Sequence, residues 1–215
     1  MTGLRARSGV VERLRAETRD EHDAIERALD WERRTASTGA YAAWLGRLHA
    51  FHGWWEPVVA RLLDDPAFFE PRRKLELLQG DLYRLSVVPP RRRPGPSDDG
   101  GAAGATTPAT SALTGPRPSP GKGQEDGLPL ATRAEALGSM YVLEGSTLGG
   151  KLIARRVRDV LGFEPRYHDP YGARAGAMWR AFQARLAADV GRTQEDAAVD
   201  AARRTFRHLR ERLAA

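Results

Sequence analysis

The 215-residue sequence contains no cysteine, and that absence removes several classes of chemistry. A chain without thiols forms no disulfide, thiolate metal site, iron–sulfur cluster or cysteine nucleophile. No apolar run approaches the roughly 18 residues that a membrane-spanning helix needs, so we expect no membrane partner. The basic N-terminal residues lead into no apolar block and do not resemble a secretory signal. We expect a cytoplasmic protein whose metal chemistry depends on histidine, carboxylate or a bound cofactor.

The sequence also lacks strand-like alternation of apolar and polar residues, and apolar residues recur instead every three or four positions. This spacing predicts an all-α chain, with one helical domain over residues 8–215. Pro57 lies inside one predicted helix and is expected to bend or break it. The predicted helices cover approximately residues 10–29, 37–62, 71–82, 132–161, 174–190 and 193–213.

One segment of the chain has almost no large apolar side chains. Residues 89–128 hold eight of the 14 prolines and eight of the 22 glycines, and Leu113 and Leu128 are their only large apolar residues. Such a composition cannot bury enough surface to offset the entropy lost on ordering. We expect a disordered linker that interrupts the helical domain and carries no chemistry.

Positive charge is in modest excess, with 34 Lys and Arg against 28 Asp and Glu and a net charge of +6. A basic all-α nucleic-acid-binding module is therefore one alternative. Most arginines alternate with acidic residues on predicted helix surfaces, which favours ordinary solvated faces and makes nucleic acid the less favoured partner. An anionic small ligand would be attracted by the same excess.

Three glycines, Gly145, Gly149 and Gly150, lie inside one apolar stretch with helical spacing. Each glycine in a helix interior costs about 1 kcal/mol relative to alanine, so the bare backbone is expected to serve a contact. That contact could be a neighbouring helix or a flat ligand, or the glycines could mark a break between two helices. Spacing alone does not decide among these interpretations.

His22 is the sharpest single candidate for chemistry. It lies on an apolar stripe, with Arg15 and Arg19 one to two turns before it and Glu26 one turn after it. An imidazole in this setting suits a metal held in a flat anionic cofactor, with Glu26 holding its other nitrogen and the arginines meeting the anionic edge. On spacing alone, a partly exposed histidine paired with Glu26 is favoured.

The remaining histidines give weaker signals. His49 and His52 lie three residues apart with Glu56 nearby, so a metal pair is conceivable, but core packing is favoured. His168 falls in a predicted turn and His208 on a basic terminal helix, and we expect both to be solvated.

Two segments together resemble one known family. Residues 14–26 resemble the heme-ligating helix of heme oxygenases, with the pattern Leu-(Lys/Arg)-x-x-Thr-(Lys/Arg)-x-x-His-x-x-x-Glu. Residues 138–150 are similar to the distal helix of the bacterial, biliverdin-producing and phytochrome-associated branch, and 171–172 and 179–182 also resemble that branch. The resemblance covers both helical blocks and omits the linker. It implies a single-domain heme-oxygenase-like helical bundle.

The resemblance also implies roles for the first segment. His22 would be the proximal ligand of the heme iron, and Glu26 would be its acidic partner. Arg15 and Arg19 match the basic positions near the heme propionates, where cations meet an anionic edge.

In the second segment, Gly145, Gly149 and Gly150 would let the distal helix pass closely over heme and leave room for oxygen. The animal-type motif has an aspartate after the first glycine, and this chain has Ser146 there. The proton path must therefore use other waters or residues. At the late-helix positions where the family has cations near the propionates, this chain has other residues, and Arg180 or Arg185 could substitute.

The implied activity is oxidative cleavage of heme to biliverdin, CO and ferrous iron, with heme as both cofactor and substrate. The reaction uses O2 and an external electron donor such as ferredoxin or a reductase, because the sequence has no flavin or nicotinamide motif. A bacteriophytochrome is the implied acceptor of biliverdin, and iron acquisition is the rival role. The alternative within the same fold is a heme-binding carrier or sensor without turnover.

Overall fold

A computed structural model describes residues 9–87 and 128–214, which form helices and turns with no strand among them. The predicted all-α class is confirmed. No helix in these ranges is long and apolar enough to cross a membrane. Apart from Leu128, which is buried in the core, the predicted linker lies outside the described residues.

The α-helices are α1 Val10–Glu17, α2 Arg19–Leu29, α3 Trp31–Arg34, α4 Thr38–Leu63, α5 Pro66–Phe69, α6 Leu75–Val87, α7 Arg133–Leu161, α8 Ala175–Asp189 and α9 Glu195–Ala214, with 3₁₀ turns at Glu70–Arg72, Gly172–Arg174 and Arg192–Gln194.

The helix predicted over 10–29 is divided at Thr18 into α1 and α2. The buried Thr18 hydroxyl donates to the Leu14 carbonyl at 2.7 Å. A threonine that bonds back to the preceding turn competes with the helical hydrogen bond and turns the chain locally. The second of the two helices, α2, carries His22.

Pro57 does not break α4, contrary to one of the two predicted outcomes. Its ring lies on the exposed side of the helix, and the residue four positions earlier is the equally exposed Gly53. The Gly53 carbonyl loses its helical N–H partner but faces water, which can replace the lost bond. The cost of the proline is therefore small enough for the helix to continue.

The helix predicted to start near Pro71 begins instead at Leu75, after a 3₁₀ turn. The buried carboxylate of Glu56 explains this start, because its Oε1 accepts the backbone N–H groups of Lys74 at 2.7 Å and Leu75 at 2.8 Å. A side chain of α4 thus caps the first turn of α6.

The long helix α7 has the predicted bounds because its end signals are local. Thr132 and Glu135 form a capping box at its start, and Gly162 ends it with φ 62°. The helix is continuous through all three glycines, so a break between two helices is not their purpose.

The core lies between α4, α7 and α9, and α7 packs closely on α9 at Gly138. A Cβ atom built on Gly138 would lie 2.0 Å from the carbonyl oxygen of Ala198. This distance is far inside van der Waals contact, so the crossing of the two helices requires a residue with no side chain.

We expect Gly138→Ala to destabilise the protein by at least about 2 kcal/mol, because the added methyl group overpacks a backbone contact. Gly46→Ala is the matched control, since nothing lies within 4 Å of a Cβ at that helical position. The control should be neutral or stabilise by up to about 1 kcal/mol. Urea denaturation measures both, and equal effects would contradict the close crossing.

Candidate functional site

A cavity of about 620 Å³ opens between α2, α7 and the C-terminal half of α9. Its volume is in the range of protein sites for small molecules and cofactors. Most of its surface is apolar. Six of its lining residues show how the walls are shared among the helices: His22, Ile25, Gly145, Gly149, Trp179 and Phe206.

His22 lies in the wall that α2 contributes, and its side chain is 53% exposed. Its Nε2 is 3.5 Å from Glu26 Oε1, and its Nδ1 is 3.6 Å from Asp23 Oδ1. The ring meets Phe206 of α9 edge-on, with centroids 6.0 Å apart. The histidine is therefore paired with Glu26, as the simpler hypothesis predicts, and it also faces the cavity, as the ligand hypothesis requires.

The three glycines of α7 serve two different purposes. A Cβ on Gly150 would lie 2.1 Å from the carbonyl oxygen of His168, so this residue allows close packing against the loop after α7. Among the described residues, a Cβ on Gly149 would meet nothing within 4 Å, and one on Gly145 would touch only the Trp179 ring at 3.7 Å. Gly145 and Gly149 therefore keep space open in the cavity wall rather than bring two elements together.

Ser146 is exposed and lines the same cavity. Its Oγ donates a hydrogen bond to the Leu143 carbonyl at 2.9 Å. Because the hydroxyl proton is committed to the backbone, Ser146 offers the cavity an acceptor oxygen rather than a proton.

The predicted basic residues Arg15 and Arg19 are exposed, and neither lines the cavity. Arg15 lies near Tyr141, which does line it: burial raises the pKa of Tyr141, and the charge of Arg15 opposes that rise. The contact of both arginines with an anionic ligand stays a prediction.

Arg185 does not suit the role of a late-helix cation at the cavity. Its guanidinium forms ion pairs with Asp65 and Asp189, each at 2.7 Å, and lies over the Phe68 ring. Arg180 is exposed and also lies outside the cavity lining.

The prediction that His168 is solvated is wrong. His168 is 6% exposed, lines the cavity and accepts or donates at Nδ1 with the Tyr41 hydroxyl at 2.9 Å. Burial lowers the pKa of His168 to about 3, so the imidazole is neutral. No periodic pattern in the sequence marks this residue, because it lies in a loop that is buried only by tertiary contacts.

His208 is likewise half-buried rather than solvated, because its ring packs against Phe51 and Trp54 with centroids 5.9 and 5.5 Å away. His52 follows the favoured core interpretation. It is fully buried, with Nδ1 3.1 Å from Glu56 Oε1 and Nε2 3.2 Å from the Tyr167 hydroxyl.

A buried polar cluster that the sequence did not indicate holds α7 at the cavity. Lys74 Nζ lies 2.6 Å from Glu144 Oε1, and the Tyr171 hydroxyl donates to the same oxygen at 2.8 Å. The three residues come from three separate segments, so no local spacing relates them. Because Glu144 directly precedes Gly145, this cluster fixes the position of the open helix segment.

The loop that carries His168 is held by Asp81 of α6. The buried Asp81 carboxylate accepts the backbone N–H groups of Arg166 and Tyr167, each at 2.9 Å, and pairs with Arg84. A carboxylate that accepts consecutive backbone amides fixes the path of the chain between them. The ring of His168 is thereby placed in the cavity wall.

No protein-family model matches this sequence, and no curated protein matches it. Among solved structures, the chain is similar to the heme oxygenase of Neisseria meningitidis, described in its NO- and CO-bound forms. The TM-score is 0.65 at 20% identity, over 96% of this chain and 93% of that chain. The chain therefore has the all-α fold of that heme oxygenase.

We expect Lys74→Met to destabilise the protein by about 3 kcal/mol, because it leaves the buried Glu144 carboxylate without its ammonium partner. Lys74→Met combined with Glu144→Gln should recover part of this loss, because the Lys74–Glu144 pair is then removed whole, although the buried Arg72 guanidinium, 3.7 Å from Glu144 Oε2, loses its carboxylate partner. Urea denaturation of the single and double variants measures the coupling. A double variant as unstable as the sum of its parts would contradict the pairing.

The buried His168 also predicts how stability depends on pH. Its pKa is about 3 in the folded protein against an ordinary value of 6.5, so between these values only the unfolded chain binds the proton. Stability is therefore lost as pH falls below 6.5, by up to about 1.4 kcal/mol per pH unit. We expect the stability difference between wild type and His168→Gln to shrink between pH 7 and pH 4.5. A difference that stays constant over this range would contradict the depressed pKa.

Proposed function

We propose that this protein is a heme oxygenase, which cleaves heme to biliverdin, CO and ferrous iron in the cytoplasm. The proposal depends on the cavity itself. One wall carries the exposed imidazole of His22, and another is a helix that has no side chains at Gly145 and Gly149. The fold shared with the Neisseria enzyme supports the same conclusion.

The residues present fit heme. An apolar cavity of about 620 Å³ suits a flat macrocycle, and Gly149 leaves open space where a side chain would narrow the cavity. His22 would bind the iron through one ring nitrogen while Glu26 holds the other, which fixes the orientation of the ring. Arg15 and Arg19 would meet the propionates. When bound, heme supplies the iron and the redox chemistry of the reaction.

The chain contributes shielding and orientation. The cluster of Lys74, Glu144 and Tyr171 holds α7 in place, and the apolar lining would exclude water from the face of a bound macrocycle. Ser146 is in the wall but directs its proton to Leu143, so proton delivery belongs to other groups or to water.

Reducing equivalents would come from an external donor such as ferredoxin or a reductase, because the sequence has no flavin or nicotinamide motif. The product biliverdin suits a bacteriophytochrome as acceptor, and release of iron is the rival physiological purpose.

A heme-binding carrier or sensor of the same fold is the second candidate, and the engaged hydroxyl of Ser146 favours it. A carrier needs the proximal ligand and the apolar cavity but no path for protons. The two functions therefore predict the same complex with heme and differ only when reductant and oxygen are supplied.

We expect hemin titration of the purified protein to give a stoichiometric complex with a Soret band. His22→Ala should shift or abolish that band through loss of the axial ligand, while His49→Ala, at a histidine that does not line the cavity, should not. With reductant and O2, a biliverdin spectrum identifies the enzyme, and an unchanged heme spectrum identifies the carrier. Salt-sensitive binding to DNA or RNA without a heme spectrum would favour the nucleic-acid-binding alternative instead.

A further inference from the structure

His168 lines the cavity and forms a buried hydrogen-bonded pair with Tyr41, and the proposed function gives neither residue a role. The backbone of His168 is held by its carbonyl oxygen against Gly150, and its ring is held by aromatic neighbours, with centroids 4.9 Å from that of Trp44 and 5.0 Å from that of Tyr167. The ring therefore has one orientation.

The Tyr41 hydroxyl determines which nitrogen of His168 carries the proton. Tyr41 is fully buried, burial raises its pKa, and within the described ranges its hydroxyl has His168 Nδ1 as its hydrogen-bond partner. A buried hydroxyl needs an acceptor, so it donates to Nδ1. A neutral imidazole that accepts at Nδ1 must carry its proton at Nε2.

The Nε2–H group of His168 has no acceptor among the described residues, whereas both ring nitrogens of His52 are occupied by Glu56 and Tyr167. The neighbouring Trp44 also has a donor without an acceptor among the described residues. It lines the cavity, it is 3% exposed, and its Nε1–H is buried and unpaired. The Trp44 donor is unusual because buried N–H groups are nearly always paired, and the His168 Nε2–H beside it belongs to a residue that lines the cavity, where a ligand or water can accept it.

Lys74 also lines this wall, but its ammonium group already has hydrogen-bond partners in the protein. The ammonium group of Lys74 contacts Glu144, the Arg72 carbonyl and the Tyr171 hydroxyl. Ser146 offers an acceptor rather than a donor. Among the described residues, His168 and Trp44 thus each present this wall with a proton that has no protein acceptor, and His168 is the one whose tautomer a neighbouring hydroxyl sets.

We propose that His168, locked in its Nε2–H tautomer by Tyr41, is a hydrogen-bond donor to polar ligands or ordered water in the cavity. The proposal rests on the proposed function, in which Ser146 replaces a carboxylate and leaves the cavity without a proton-ordering group. The depressed pKa of His168 keeps the ring neutral, so it acts as an oriented donor and not as a charge. Tyr41 is a positioning residue.

The tautomer is tested first in the protein without heme, by ¹⁵N NMR of the histidine rings. We expect the His168 signals of an Nε2–H imidazole, unchanged between pH 7 and pH 5. Tyr41→Phe removes the donor to Nδ1 and should shift the signals toward a mixture of tautomers. An Nδ1–H tautomer in the wild type, or no change in Tyr41→Phe, would overturn the proposal.

The donor role is tested by cyanide binding to the hemin-loaded ferric protein, with cyanide as the anionic probe. His168→Leu should weaken cyanide binding by about tenfold or more, as expected for loss of a hydrogen bond to a charged group. His168→Gln, which can present an amide N–H near the Nε2 position, should recover part of the affinity. His49→Leu is the control outside the cavity lining and should leave the affinity unchanged.

The outcomes separate this proposal from the proposed function. Equal cyanide affinity in wild type and His168→Leu overturns the donor role and leaves heme binding intact. A wild-type protein that binds no hemin overturns the proposed function and the role of His168 with it. If His168→Leu does not fold, Tyr41→Phe decides, because it keeps the imidazole and should weaken cyanide binding by a smaller factor.

Discussion

The buried carboxylate of Glu56 is the contact on which the site depends. It fixes the backbone at Lys74 through an N–H bond, and the Lys74 ammonium then holds Glu144, which directly precedes Gly145. A single acidic side chain on α4 therefore sets both the start of α6 and the placement of the bare segment of α7. Lys74 and Glu144 are both buried, so removing either leaves the other without its nearest opposite charge, and removing Glu56 leaves the amides of Lys74 and Leu75 without their acceptor.

The polar interior and the open cavity complement each other. Carboxylates of Glu56, Asp81 and Glu144 anchor backbone and side chains behind the cavity, and the surfaces they hold toward it are mostly apolar. An apolar cavity with few, fixed polar groups is the usual form of a cofactor site. The position of His168 in that wall follows from Asp81, which anchors the two residues before it.

The sequence predicted the parts of the structure that have local causes. The capping box at Thr132 and the positive φ of Gly162 lie at the ends of α7 itself, so its bounds were predictable. The start of α6 was not, because its cap, Glu56, lies 18 and 19 residues away from the amides it accepts. Helical spacing marked His22 and the glycines as candidates, and the resemblance to heme oxygenases gave them roles, whereas the burial of His168 depends on a loop without periodicity.

The division among the glycines of α7 has an evolutionary consequence. Gly138 and Gly150 face backbone atoms at about 2 Å from a would-be Cβ, so any descendant that keeps this fold must keep them, with or without a ligand. Among the described residues, a Cβ on Gly149 would face open space and one on Gly145 would make only ordinary contact with the Trp179 ring, so the packing of the fold does not restrain these two positions. A lineage that abandoned its ligand would be free to fill the cavity from these two positions, and side chains there would record the loss of function while the fold persisted.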